Sequence, residues 1–249
     1  MTLASCLAVT AIVWTVSLIR SVRLRAFVYS LPIPITLVLV LTTVTVDGAQ
    51  LIGVVVLNLF FCVVAVLHHR YRWHILVADA TGIATYVLLG ALVAHVDRWP
   101  LVPTLAVVLG IWAAVNLAIV LRAKPPARSD APMAGRSKLV KLVIALSGSL
   151  VTGLLGNLLH GLVVTFPYAG ILVAVESRAV LPEFARHFAR NSLGIVVFLV
   201  TYATMQRLPM GVAIAGSWAA FLLCCLALNL RTVLATLKTA RVKVTAGPR

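Results

Sequence analysis

Long apolar runs, repeated along the whole chain, constrain the fold of this 249-residue protein more than any other feature of its sequence. Nine of them have about the length that a helix needs to cross roughly 30 Å of hydrocarbon. They lie near residues 3–19, 31–46, 50–67, 78–96, 100–121, 139–155, 158–175, 191–206 and 209–230. Because a backbone in lipid must satisfy its own hydrogen bonds, such runs predict α-helices rather than barrel strands. We therefore expect an all-α, polytopic helical membrane protein.

The composition supports a membrane location. Hydrophobic residues make up 62% of the chain and charged residues 11%, whereas a soluble domain is about half apolar and about a quarter charged. The net charge of +15 would also suit a nucleic-acid binder. However, the basic residues lie between the apolar runs instead of forming one patch, so we expect them to meet anionic lipid headgroups at the cytoplasmic face. Nucleic acid is not an expected partner.

The positions of the basic residues predict the orientation. With the N-terminus outside and the C-terminus in the cytoplasm, all but two of the 21 Lys and Arg residues fall on the cytoplasmic side, and only Arg98 and Arg207 fall outside. This asymmetry is what the positive-inside bias produces in a multi-pass membrane protein. The first run, Leu3–Ile19, has no basic region before it and no small-residue cleavage site after it. We interpret it as a retained span rather than a signal peptide.

Landmarks in the first half of the chain recur about 108 residues later. Gly48-x-x-x-x-Gly53 matches Gly156-x-x-x-x-Gly161, and Gly82-Ile83 matches Gly194-Ile195. Further on, Gly110-x-Trp112-Ala-Ala matches Gly216-x-Trp218-Ala-Ala. Each copy holds four spans, an even number, so the repeats are expected to be parallel. The predicted organisation is an N-terminal helix (1–25), a four-helix repeat (26–122), a cytoplasmic linker (123–137), a second four-helix repeat (138–231) and a basic cytoplasmic tail (232–249).

The second copy resembles a known family. The segment from Gly161 through Phe166-Pro167-Tyr168, followed by Glu176-Ser-Arg178 and then Arg190-Asn191-Ser, is similar to the GlpM-type family of small bacterial inner-membrane proteins. The resemblance covers about 70 residues and implies a tandem duplication of a four-span unit. The first copy departs from the pattern, because Asn58-Leu59 stands where Phe166-Pro167 stands in the second. The family implies an architecture rather than a reaction.

A charged cluster at the inner face is the first candidate site. Glu176, Arg178, Arg190 and Asn191 follow one another around the end of one span and the start of the next, and the repeat places Arg70 and Asp79 opposite them. Such a cluster would suit an inner gate or the recognition of an anion. The alternative is an interfacial helix held by ordinary ion pairs, since Glu183 lies three and four residues before Arg186 and His187.

Polar or helix-breaking residues inside the spans are the second group of candidates. Pro167, beside Tyr168, would free a carbonyl and kink its helix, as happens next to binding sites in transporters and also in packed bundles. His160, near the outer end of its span, would act in a proton relay or, more simply, pack between helices or meet headgroups. Asn58 would line a polar pathway or make hydrogen bonds between helices. Asn116 and Asn229 have the same two interpretations.

Three functions remain open on this evidence. Transport or flipping of a small, anionic or lipid-linked molecule between the repeats is favoured over a non-catalytic partner role in an envelope-biosynthesis complex. A membrane-embedded, metal-free cyclase or isomerase would use the carboxylates of Asp79 and Glu176. No nucleotide-binding or hydrolase motif occurs, and neither histidines nor cysteines show metal-ligand spacing. We therefore expect no cofactor and no metal, while a homo-oligomer or a membrane complex stays open.

Overall fold

The computed structural model describes residues 22–42, 44–96, 98–122 and 164–245, and this part of the chain is helical throughout, without strands. Its helices are α1 (Val22–Ser30), α2 (Ile33–Thr42), α3 (Gly48–His69), α4 (Ile75–Ala94), α5 (Leu101–Arg122), α6 (Tyr168–Glu176), α7 (Leu181–Met205) and α8 (Met210–Thr245), with a 3₁₀ turn at Arg178–Val180 before α7. The all-α prediction is confirmed.

Five helical segments are long and apolar enough to cross a membrane. They are Gly48–His69, Ile75–Ala94, Leu101–Leu121, Arg178–Met205 and Met210–Leu230. The predicted spans at 3–19 and 139–155 lie outside the described residues, as do the linker, His160 and most of the span that begins at residue 158. The nine predicted spans are therefore represented by five in the described part.

At two predicted spans the helix bounds differ from the bounds of the apolar run. The run at 31–46 is not one span, because α1 ends at Ser30 and the ten-residue α2 starts at Ile33 after a bend at Leu31 and Pro32. Proline lacks the N–H that would continue the helix. The helix that contains the span predicted to open at Asn191 begins at Leu181, so the expected interfacial segment and the span form one continuous helix.

Two antiparallel helices, α3 and α7, form the centre of the described bundle. Helices α4, α5 and α6 pack against α3, and α1, α5 and α8 pack against α7. Aromatic side chains fill the α3–α7 interface: the ring of Phe61 lies 5.1 Å from that of Phe184 and 4.9 Å from that of Phe188. All three rings are buried, so this interface is apolar.

Hydrogen bonds between elements show which helix ends lie together. At one end, the Val46 N–H donates to Gln206 Oε1 over 3.1 Å, and the Gly48 N–H donates to the Trp99 carbonyl over 3.0 Å. At the other end, His69 Nε2 lies 2.7 Å from the Arg178 carbonyl oxygen. Helices α3, α5, α6 and α8 therefore run in one direction, and α4 and α7 run in the other.

The two ends differ in charge. The end that holds His69 also holds the arginines of the α3–α4 turn, the 3₁₀ turn and the start of α7, namely Arg70, Arg72, Arg178 and Arg186. We call it the basic end. The opposite end, which holds Gly48 and Gln206, has Arg98 and Arg207.

Positions that match in the sequence repeat have different neighbours in the bundle. A Cβ on Gly82 would lie 2.6 Å from Val64 of α3, whereas a Cβ on Gly194 would lie 2.8 Å from Phe221 of α8. The indole of Trp112 donates to the Ala189 carbonyl of α7, whereas that of Trp218 donates to Thr36 Oγ1 of α2. The described halves share their helix directions but not their packing.

Candidate functional site

A break in the helical backbone at Phe166 and Pro167 is the first feature of the candidate site. A short 3₁₀ turn at Val164 and Thr165 precedes it, and α6 follows with Pro167 at its N-cap (φ −75°, ψ 50°) and no side-chain capping bond. The first N–H groups of a helix have no partner within the helix. The partly positive N-terminal end of α6 therefore faces the break.

The break lies near the middle of the membrane-crossing part of the bundle. Thr165 Oγ1 lies 2.8 Å from Tyr86 Oη, and the Phe166 ring packs edge-on against the Tyr86 ring at 5.3 Å. Tyr86 sits at the middle of α4, a helix long enough to span the bilayer. A half-helix that begins at mid-depth is a recurrent feature of transporter binding sites.

A small cavity of about 40 Å³ opens beside this break. Its walls come from five segments of the bundle: Tyr29 from α1, Ile35 from α2, Phe61 from α3, Pro167 and Gly170 around the start of α6, and Phe188 and Ile195 from α7. The volume suits a few water molecules rather than a lipid headgroup. The described conformation is therefore closed around the break.

The residues of the predicted inner-face cluster have different neighbours. The backbone of Arg178 meets His69, so this residue does lie beside Arg70. Arg190 instead donates to the Leu228 carbonyl of α8. Asn191 is 8% exposed and lies on the face of α7 that carries Phe188 and Ile195, at spacings of three and four residues.

The two acids proposed for catalysis are both buried towards the basic end. Asp79 is 3% exposed, and its Oδ1 atom has no hydrogen-bond partner among the described residues. It lies two turns from Tyr86, on the same face of α4. Both carboxylate oxygens of Glu176, the last residue of α6, are also buried.

The asparagines within the spans make local bonds. Each side-chain amide donates to the carbonyl four residues earlier in its own helix, at 2.8 Å for Asn58 and 2.9 Å for Asn116 and Asn229. The predicted interhelical bonds of these amide groups are absent from the described part of the chain. Asn58 Oδ1 is buried without a hydrogen-bond partner among the same residues. Tyr168 is the first residue of α6.

The ordinary ion-pair interpretation of the segment after Arg178 is partly realised. His187 Nε2 lies 3.6 Å from Glu183 Oε1, and Arg186 Nε donates to the Pro182 carbonyl over 3.1 Å. Within the described ranges, no group of three His, Cys, Asp or Glu side chains could hold a metal ion.

Two polar contacts were not predicted from the sequence. The Gln206 side chain both accepts from the Val46 N–H and donates to the Val46 carbonyl over 3.3 Å, which ties the end of α7 to the start of α3. The indole of Trp112 ties α5 to α7. The recurring Gly-x-Trp-Ala-Ala motif drew attention to Trp112, but no sequence signal marks Gln206.

In comparisons with known proteins, no family model, no curated protein and no solved structure matches this chain. Its class therefore follows from its own helices. With five helical segments that are long and apolar enough to cross a bilayer, it is a multi-pass integral membrane protein.

Proposed function

We propose that this protein moves a small molecule, anionic or attached to a lipid, across the membrane between two halves that run in the same direction. The observation that carries the proposal is the helix break at Phe166 and Pro167, which lies at mid-depth and borders a cavity. The N-terminal dipole of α6 favours negative charge at this point. An anionic group of the substrate would be stabilised by this dipole.

The pathway we propose is closed in the described conformation. Rings of Phe61, Phe184 and Phe188 fill the α3–α7 interface, and the cavity is smaller than any lipid-linked group. Transport therefore requires α6 and its neighbours to separate from α3 and α7. Alternating access of this kind is a relative movement of two repeats around a central site.

The proposed setting is the bacterial inner membrane. A leading helix and two parallel four-helix repeats would give nine spans, with the N-terminus outside and the C-terminus in the cytoplasm. The concentration of arginines at the basic end supports a cytoplasmic position for that end. Arg70, Arg178 and Asp79 would then border the inner opening of the pathway, in keeping with a gating role.

A transport assay with a blocked cavity tests this function. The protein is reconstituted into vesicles that contain a fluorescent phosphatidylglycerol or enclose carboxyfluorescein, and movement of each probe is followed by quenching or release. We expect Ile35→Phe to slow the transported probe about tenfold, because Ile35 is buried and lines the cavity. The matched control is Val40→Phe on the same helix, where the side chain is exposed.

Two outcomes of this assay would contradict the proposal. If wild-type protein moves neither probe faster than empty vesicles do, or if Ile35→Phe and Val40→Phe behave alike, the break at Pro167 is not a transport site for these molecules. The thermal midpoint of each variant in detergent shows whether a loss of transport reflects loss of the fold.

A non-catalytic partner role in an envelope-biosynthesis complex is the second candidate, and a different observation favours it. Most of α5 is uncovered in the described bundle, with Val102, Val120 and Leu121 each at least 70% exposed. A partner helix would bury this face, whereas a transporter would present it to lipid. Cross-linking from α5 to one defined protein, together with inactivity of the wild type in both probe assays, would support this role.

A further inference from the structure

The turn between α3 and α4 presents two arginines and two aromatic residues at the basic end. Arg70 and Arg72 are exposed, and the side chains of Tyr71 and Trp73 are 63% and 43% exposed. We propose that this turn, together with the neighbouring Arg178, is a binding site for the phosphate group of an anionic phospholipid.

The backbone of the turn is held in one conformation. The Trp73 N–H donates to the Leu67 carbonyl over 3.1 Å, and His68 Nδ1 lies 2.9 Å from the Trp73 carbonyl oxygen. Between them Arg72 has a φ of 59°, a left-handed conformation that an arginine adopts only at a cost. Glycine would avoid that cost. A non-glycine residue in such a conformation is a reason to look for a function of its side chain.

A second segment brings a third arginine beside this turn. His69 Nε2 lies 2.7 Å from the carbonyl oxygen of Arg178, which opens the 3₁₀ turn before α7. This contact fixes the 3₁₀ turn beside the end of α3. Arg178 is half-buried, and its Nη1 atom reaches the Val175 carbonyl only at 3.4 Å.

Among the described residues, the three arginines have no acidic partner. Across the described ranges, no carboxylate forms an ion pair with Arg70, Arg72 or Arg178, and the ion pair at this end joins Glu183 to His187. Guanidinium groups bind phosphate oxygens in a bidentate manner. A positively charged surface without internal neutralisation therefore fits an external anion.

The aromatic residues favour a lipid phosphate over a free one. Tyrosine and tryptophan are enriched at headgroup depth, where one side of the ring is apolar and the other polar. Tyr71 and Trp73 flank Arg72, so the arginine is held at the level where phospholipid phosphates lie. The proposed ligand is therefore a phospholipid with an anionic headgroup in the same leaflet.

This site is separate from the cavity beside Pro167. It does not depend on the proposed transport function, because a protein that moves nothing would still bind lipid at this turn. The variants that test it lie outside the cavity walls.

Lipid-dependent thermal stabilisation in detergent tests the site. Delipidated full-length protein is heated with short-chain phosphatidylglycerol, short-chain phosphatidylcholine or inorganic phosphate, since a ligand that binds only the folded state raises the midpoint. We expect phosphatidylglycerol to raise it most. The double variant Arg70→Gln/Arg72→Gln should bind this lipid about 25-fold more weakly, at about fivefold for each arginine.

The opposite end supplies the matched control. Arg98→Gln/Arg207→Gln removes the same charge from exposed positions and should leave the stabilisation unchanged. Equal loss in both double variants would mean non-specific attraction, and retention in both would mean that lipid binds elsewhere; either result overturns the proposal. Stabilisation by inorganic phosphate to the same extent would show that the lipid chains and the aromatic residues play no part, which also contradicts it.

Discussion

Single glycines decide how closely the central helices approach. At Gly82 an added Cβ would lie 2.6 Å from Val64 Cγ2 and 2.9 Å from Phe60 Cδ2, both in α3. Gly110 on α5 has nothing within 4 Å of the same position. The absence of a side chain at Gly82 therefore permits the close approach of α3 and α4, whereas at Gly110 it has no such effect on packing among the described residues.

We predict that Gly82→Ala lowers the free energy of unfolding by about 1–3 kcal/mol, because the methyl group overpacks the α3–α4 contact. Gly110→Ala should have no such effect and should stabilise α5 by up to about 1 kcal/mol through helix propensity. Denaturant titration in mixed micelles measures both. Equal destabilisation by the two substitutions would show that α3 and α4 are not packed as described.

At the residue scale, the sequence was informative where a residue acts within its own helix. The interruption at Pro167 was foreseeable because proline cannot continue a helix. The partners of polar side chains were not foreseeable: Arg190 bonds to α8 and Gln206 to Val46, and both contacts join residues that are far apart in the chain. Only the folded bundle brings such atoms together.

At the scale of elements, hydrogen bonds at the helix ends join the bundle at the end opposite the basic end. Gln206 closes two bonds with the backbone of Val46, which is 2% exposed. Asp47 then caps α3: the Ala49 N–H donates to the Asp47 carboxylate, and the Asp47 N–H donates to Gln50 Oε1, each over 2.7 Å. The start of α3 is thus fixed on both sides.

Replacing Gln206 should release this junction. We predict that Gln206→Ala lowers the free energy of unfolding by about 1–3 kcal/mol, because the buried N–H and carbonyl of Val46 lose their partner. Thr204→Ala, nearby at an exposed position whose hydroxyl bonds within its own helix, should change it by less than about 0.5 kcal/mol. Identical values for the two variants would mean that the junction contributes nothing.

Apolar run length predicted the existence of helices well and their ends less well. The runs at 50–67, 78–96, 100–121 and 209–230 correspond to α3, α4, α5 and the first part of α8. The helices extend beyond the apolar runs, because α7 begins ten residues before Asn191 and α8 continues past Arg231. Charged side chains at a membrane surface are solvated and do not stop a helix.

For the whole molecule, the central claim is that two halves run in the same direction with the basic end in the cytoplasm. The described contacts bear only on helix direction: α5 and α8 both begin at the end that holds Gly48 and Gln206. Residue patterns predicted a shared direction through the even number of spans per repeat, and the side of the membrane on which the basic end lies stays a prediction. They could not foresee that matched positions such as Gly82 and Gly194 pack against different helices, because packing depends on neighbours that the repeat does not encode.

Cysteine labelling in intact cells tests this claim directly. In a full-length protein whose native cysteines are replaced, single cysteines are introduced by Arg98→Cys, Arg207→Cys, Arg72→Cys and Arg186→Cys, and a membrane-impermeant maleimide is added. We predict labelling of the first two in intact cells and of the last two only after permeabilisation. If the cysteines at positions 98 and 207 were labelled from opposite sides of the membrane, the halves would run in opposite directions and the account would be contradicted.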